Sequence, residues 1–150
     1  MSYWSTLQIG ASALTAQRLR LDVIANNIAN AETTRTEDGG PYQRSDVIFQ
    51  AKSQGNQFPA FLASHTGLSL GRTKQSGVEV AAIKKDDTPG EKVFDPTHPD
   101  ADEEGYVTYP NVNIVVEMTN MLSATRSYEA NLAALDASKT MAMKALEIGR

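Results

Sequence analysis

The sequence predicts a mainly α protein with a small β insertion. Long N- and C-terminal helices pair as a coiled-coil-like hairpin, and a loop-rich antiparallel β domain lies between them. Three observations carry this reading. An apolar residue returns every seven positions at Leu7, Leu14, Leu21 and Ile28, with Ile24 on the same stretch. A second stripe runs Ile114, Met118, Met121, Thr125, Tyr128, Leu132, Leu135, Lys139, Ala142 and Leu146, stepping alternately by four and three. That alternation is the seam of a helix packed along another helix. All six prolines fall between residues 33 and 110, where neither stripe continues. The expected division is therefore an N-terminal helix in 1–32, a small β domain in 33–110 and a long C-terminal helix in 111–150.

The first helix is expected from about Ser5 to Ala31, with Ser5 or Thr6 as its cap. Gly10 and the cluster Asn26, Asn27 and Asn30 lower its intrinsic propensity. Such a helix is weak in isolation and depends on packing. The asparagines have two readings: they wind the helix down before the loop at Thr33, or Asn27 or Asn30 bonds across the seam and fixes its register.

After Ala31 the turn signals are dense: Gly39-Gly40-Pro41, Gln54-Gly55-Asn56, Pro89-Gly90, Asp95-Pro96 and His98-Pro99. Short β-type runs lie between them, at Asp46 to Ala51, Val78 to Ile83 and Tyr106 to Tyr109. Gln50 to Pro59 reads as a mobile loop. So few apolar residues make a thin core, which packing on the helices completes.

Pro110 ends the last strand, Asn111 or Asn113 supplies an N-cap for the second helix, and Gly149 stands where a left-handed C-cap is expected. Within this helix Arg126 with Glu129, Asp136 with Lys139, and Lys144 with Glu147 are spaced for weak ion pairs. From Ile114 to Ile148 the helix is about 52 Å long at roughly 1.5 Å per residue. A compact domain of this size is only about 40 Å across. The helix overhangs what the rest of the chain can build, so its apolar face needs partners on other molecules. The terminal helices of a dilute monomer are accordingly expected to be mobile.

Composition narrows the function classes. Apolar residues make up 41% and charged residues 21%, a globular balance. A net charge of -4 leaves no basic patch for nucleic acid. With no cysteine there is no disulfide, thiolate nucleophile or Cys-based metal site. No stretch approaches the roughly 18 apolar residues of a membrane span. The first 17 residues carry no charge, so the basic start of a cleavable signal peptide is missing.

Catalytic patterns are equally scarce. There are two histidines, His65 and His98, and no nucleophile elbow, phosphate loop, dinucleotide fingerprint or HExxH. The segment from Asp100 imitates a calcium loop with Asp100, Asp102, Glu104 and Gly105, but its twelfth position is Asn111 where a bidentate Glu is needed. The expectation is a non-enzymatic assembly subunit with no catalytic, cofactor or metal site. The alternative is a calcium-binding acidic-loop domain of a secreted protein. A metal-dependent enzyme centred on His98 and Asp100 ranks last.

Three stretches carry a resemblance: IGASALTAQRLRLDVIANNIANAETTRT, GGPYQRSDVIF, and DPTHPDADEEGYVTYPNVNIVVEMTNMLSATRSYEANLAALDASKTMAMKALEIGR. Together they resemble the bacterial flagellar basal-body rod family. The short chain and the GGPY-strand combination are similar to the proximal part of the rod. The resemblance implies terminal helices packed in the core of a hollow helical tube. It implies export by the flagellar type III apparatus without signal cleavage, and a place in the periplasmic drive shaft that carries torque from motor to hook. The implied partners are further copies of this chain and the rod subunits FlgB, FlgF, FlgG and FliE. The packing residues expected from the two stripes are Leu7, Leu14, Leu21, Ile24, Ile28, Ile114, Met118, Met121, Tyr128, Leu132, Leu135 and Leu146.

Overall fold

A computed structural model describes residues 3–37, 39–53 and 75–149. The order of elements is helix α1 (Tyr3–Ala29), strands β1 (Ser45–Ser53), β2 (Gln75–Lys85), β3 (Lys92–Phe94) and β4 (Tyr106–Thr108), then helix α2 (Ile114–Ile148). Two helices thus flank a β region, as the apolar stripes and the proline distribution predict.

Helix α1 is already formed at Tyr3, so Ser5 and Thr6 lie within it rather than ahead of it. Its end is an asparagine stop. The Asn30 side-chain amide donates to the backbone carbonyl and the side-chain oxygen of Asn26, both at 2.9 Å. Helix α2 starts on Asn113, whose extended backbone and side-chain oxygen, 3.2 Å from the Val116 N–H, make an N-cap. Asn111 has a different task, described below. Gly149 does not form the expected left-handed cap: its φ is -86°, so the helix simply runs out. None of the three spaced ion pairs of α2 closes; among the described residues the ion pairs are Arg35–Asp100 and Arg44–Glu117.

The β region differs in detail from its expectation. It is antiparallel, as expected, and holds two separate ribbons, β1–β2 and β3–β4. Strand β2 outruns the anticipated Val78–Ile83 because Lys84 and Lys85, which carry no apolar signal, pair with Asp46 and Ser45. Strand β3 is three residues long and leaves no periodicity to read; it pairs Val93 with Val107 and Phe94 with Tyr106. The proposed loop at Gln50–Pro59 begins inside β1, and its part from 54 to 59 lies outside the described residues.

Ribbon β1–β2 lies on α1. Along β1, Val47 and Phe49 turn inward while Ile48 and Gln50 are exposed, the period of two expected for a half-covered strand. The Arg20 guanidinium stands 6.0 Å from the centre of the Phe49 ring. At Gly77 the chain passes so close to Ser12 that any Cβ would collide with its hydroxyl, and a φ of +111° also favours glycine. The Ser12 hydroxyl accepts the Val78 N–H at 3.1 Å.

The two helices run antiparallel, with Asn27 against Glu117 at one end and Gly10 against Leu135 further along. The buried set is small: Ala16, Ile24, Val47, Val107 and Ala124, with the polar Asn27 and Glu117. Among the described residues the core is therefore a thin line between α1, α2 and the first ribbon, with Val107 buried apart from it in the second ribbon.

Candidate functional site: a helix seam with one polar end

On α2 the side chains turned to α1 follow Glu117, Met121, Ala124, Tyr128, Asn131, Leu135, Ser138 and Ala142, all buried or half-buried. This line also steps by four and three. It shares Met121, Tyr128, Leu135 and Ala142 with the stripe read from the sequence. Of the other members, Thr125 is half-buried and Lys139 exposed, and the large apolar ones stand in water: Ile114 is 42% exposed, Met118 56%, Leu132 45% and Leu146 76%. The expected packing residues thus divide into a line facing α1 and a line facing outward. On α1, Ile24 is buried, while Leu7, Leu14, Leu21 and Ile28 are half-buried.

Close approach in the seam depends on Gly10. A Cβ at that position would collide with the side chain of Leu135, which fills the space. The glycine that weakens the helix by propensity is the one that admits its neighbour. Gln17 Oε1 is buried without a partner among the described residues.

The seam closes at one end on a polar cluster. Asn27 is fully buried and uses all four of its hydrogen-bonding capacities. Its amide donates to the Ser45 carbonyl at 2.8 Å and to Glu117 Oε2 at 3.0 Å. Its oxygen accepts the Tyr42 hydroxyl at 2.9 Å and the Ser45 N–H at 3.0 Å. Glu117 is 1% exposed, and its Oε1 lies 3.0 Å from both Nε and Nη2 of Arg44. Asn120 donates to the same oxygen at 3.3 Å. Asn111 accepts the Arg44 N–H at 3.1 Å, and the Arg44 carbonyl accepts the Asp86 N–H at 2.8 Å. Asn30, the other asparagine singled out, bonds only locally, to Asn26 and Thr33. Sequence reading missed Arg44 and Glu117; a lone Glu in a first helical turn looks like an ordinary dipole partner.

The acidic turn holds its carboxylates apart. Asp100 accepts the Thr34 hydroxyl at 2.8 Å and lies 3.7 Å from Arg35. Asp102 accepts the N–H groups of Glu104 and Tyr106 at 3.0 and 2.8 Å. His98 Nδ1 accepts the Asp100 N–H at 3.1 Å, so that nitrogen is taken up by backbone. The Thr97 hydroxyl and N–H, donating to Asp95, hold its carboxyl below the usual value, and Thr88 does the same for Asp86. Among the described residues no group of three or more His, Asp or Glu side chains converges to hold a metal ion. The calcium reading has no donor set there. No described helix is long and apolar enough to cross a membrane.

A thin core and an outward apolar line along a 35-residue helix are the marks of a subunit that packs against other chains. The comparisons specify which kind. Residues 7–35 match the family model described as flagella basal body rod protein, and residues 103–148 match the C-terminal model of the flagellar basal body rod FlgEFG proteins. The flagellar basal-body rod protein FlgC of Bacillus subtilis is 46% identical, covering all of both chains. FlgC of Borreliella burgdorferi is 44% identical over 99% of this chain and 98% of its own, and that of Escherichia coli O6:H1 is 40% identical over the whole of both. The chain belongs to the flagellar basal-body rod protein family. Its role is that of a structural subunit of the basal-body rod.

Proposed function

We propose that this chain occupies the proximal rod, within the periplasm, and carries torque from motor to hook. In this reading α1 and α2 pair as a coiled-coil-like hairpin that forms the rod core with segments 1–32 and 111–150, and 33–110 is the small β domain inserted between them. The outward line Ile114, Met118, Leu132 and Leu146 packs against further copies and against FlgB, FlgF, FlgG or FliE. Asn27 fixes the register of the pair. Export runs through the flagellar type III apparatus without signal cleavage.

The observation that carries the reading is the outward line itself. Large apolar side chains recurring along one face of a helix, in water, are the mark of an interaction surface. Neighbours related by a non-closing contact would bury it while building a tube. The test is Leu132→Asp, supplied to a strain lacking its own copy of this gene. Leu132 is 45% exposed, so the carboxylate is hydrated in the lone chain. Against a neighbour it is buried without a cation, at a cost of several kcal/mol. The expected result is an unchanged free chain, no incorporation into isolated basal bodies and loss of motility. Normal incorporation of Leu132→Asp would overturn the packing assignment.

A further inference from the structure

The polar cluster does more than register two helices. Its members come from three parts of the chain: Asn27 from α1, Glu117 from α2, and Tyr42, Arg44 and Ser45 from the approach to β1 and its first residue. Arg44 is the hub. Its guanidinium grips Glu117, its N–H donates to Asn111 just ahead of α2, and its carbonyl holds the Asp86 N–H beyond the end of β2. Ser45 offers both backbone groups to the one buried amide of Asn27.

We propose that helix pairing and docking of the β insertion are one event, latched by Arg44 on Glu117. The physical reason is the carboxylate. Pairing the helices buries Glu117 to 1% exposure, and Arg44 is the cation within 4 Å of it. Helices that paired with segment 42–45 undocked would strand a charge in a low-dielectric seam, which is strongly unfavourable. They would also leave the Asn27 oxygen without its two donors. The dependence is reciprocal, because an undocked insertion loses both Ser45 bonds and the Arg44 grip. A chain that folds where it assembles would then fix the angle between insertion and helix pair in the same step. This inference rests on the rod-subunit reading.

Complementation of a strain lacking this gene tests it, with incorporation measured as the amount of this chain per isolated basal body. Four chains are compared: wild type, Arg44→Met, Glu117→Gln and the double variant. Arg44→Met keeps most of the side-chain length but strands the carboxylate, and incorporation should fall about tenfold or more. Glu117→Gln keeps an oxygen for Asn27 and leaves Arg44, whose side chain is 23% exposed, to be hydrated, so the fall should be smaller. Adding Glu117→Gln to Arg44→Met removes the stranded charge, and incorporation should recover several-fold above Arg44→Met alone. The latch is overturned if Arg44→Met incorporates like wild type, or if the double variant is no better than Arg44→Met. Absence of the wild-type chain from basal bodies would instead refute the rod-subunit reading and leave the latch to be judged by the same rescue in folding of the free chain.

Discussion

At the end of the helix pair where α1 leaves for the insertion, polar side chains are buried and fully bonded; at the other end, apolar side chains stand in water. Asn27 and Glu117 are 0% and 1% exposed, whereas Trp4 and Leu146 are each 76% exposed and Ile148 is 87%. The usual distribution of polar and apolar groups is thus inverted between the two ends of the helix pair. The difference teaches where the chain is complete. A buried polar group is tolerable only when satisfied, and the cluster is satisfied from within the chain. The exposed apolar groups at the far end have no cover among the described residues, and in the proposed reading neighbours supply it.

The largest effect is expected at the closed end. Asn27→Leu removes four hydrogen bonds at once and leaves the Glu117 oxygen, the Tyr42 hydroxyl and both Ser45 backbone groups without their partner. Each buried group left unmade costs about 1–3 kcal/mol, so the pair should be lost. The measurement is folding of the free chain driven by an excluded osmolyte, which strengthens burial and is followed by helicity. No osmolyte concentration should bring Asn27→Leu to wild-type helicity; a wild-type midpoint would break the contrast between the two ends.

Along the seam the expected costs shrink. Gly10→Leu forces a branched side chain into the place of Leu135, and overpacking of this kind costs typically about 1–3 kcal/mol. The osmolyte midpoint should rise. A midpoint that falls would mean that helix propensity, worth about 1 kcal/mol against glycine, outweighs the fit. Gln17→Met runs the other way. It removes the buried, unpartnered Oε1 and keeps the volume, so the midpoint should drop by an amount near 1 kcal/mol. A rise would show that the oxygen has a partner after all.

These positions also explain what could be read from sequence. Two long helices and a β region between them were legible because apolar spacing and proline placement are one-dimensional signals. Which face of α2 meets α1 was not. The line through Met118, Leu132 and Leu146 and the line through Glu117, Ala124, Asn131 and Ser138 share every seventh residue, and both step by four and three. Hydrophobicity favoured the first, yet α1 takes the second, because small and polar residues let the backbones approach at Gly10 and seat the cluster at Asn27. The Arg44–Glu117 pair was invisible for another reason: it joins residues 73 apart in sequence and belongs to no local pattern. Strand β3 was missed because three residues carry no period.

The smallest effect on the chain itself is expected at the open end, and there the comparison is sharpest. Leu146 is 76% exposed, so Leu146→Ser removes almost no intramolecular burial. Substitutions at such positions usually stay within about 0.5 kcal/mol, and the osmolyte midpoint should not move. Lys144→Ala, on the same exposed turn of α2 but charged, serves as the control and should be silent in every measurement. Incorporation into basal bodies is where the two must part. Burying a leucine against a neighbour is worth about 1.5–3 kcal/mol, and every 1.4 kcal/mol is a factor of ten. Leu146→Ser should therefore incorporate about tenfold less than Lys144→Ala while folding equally well. If the two incorporate alike, the far end of α2 is a free end rather than an interface, and the inversion along the seam has no consequence for assembly.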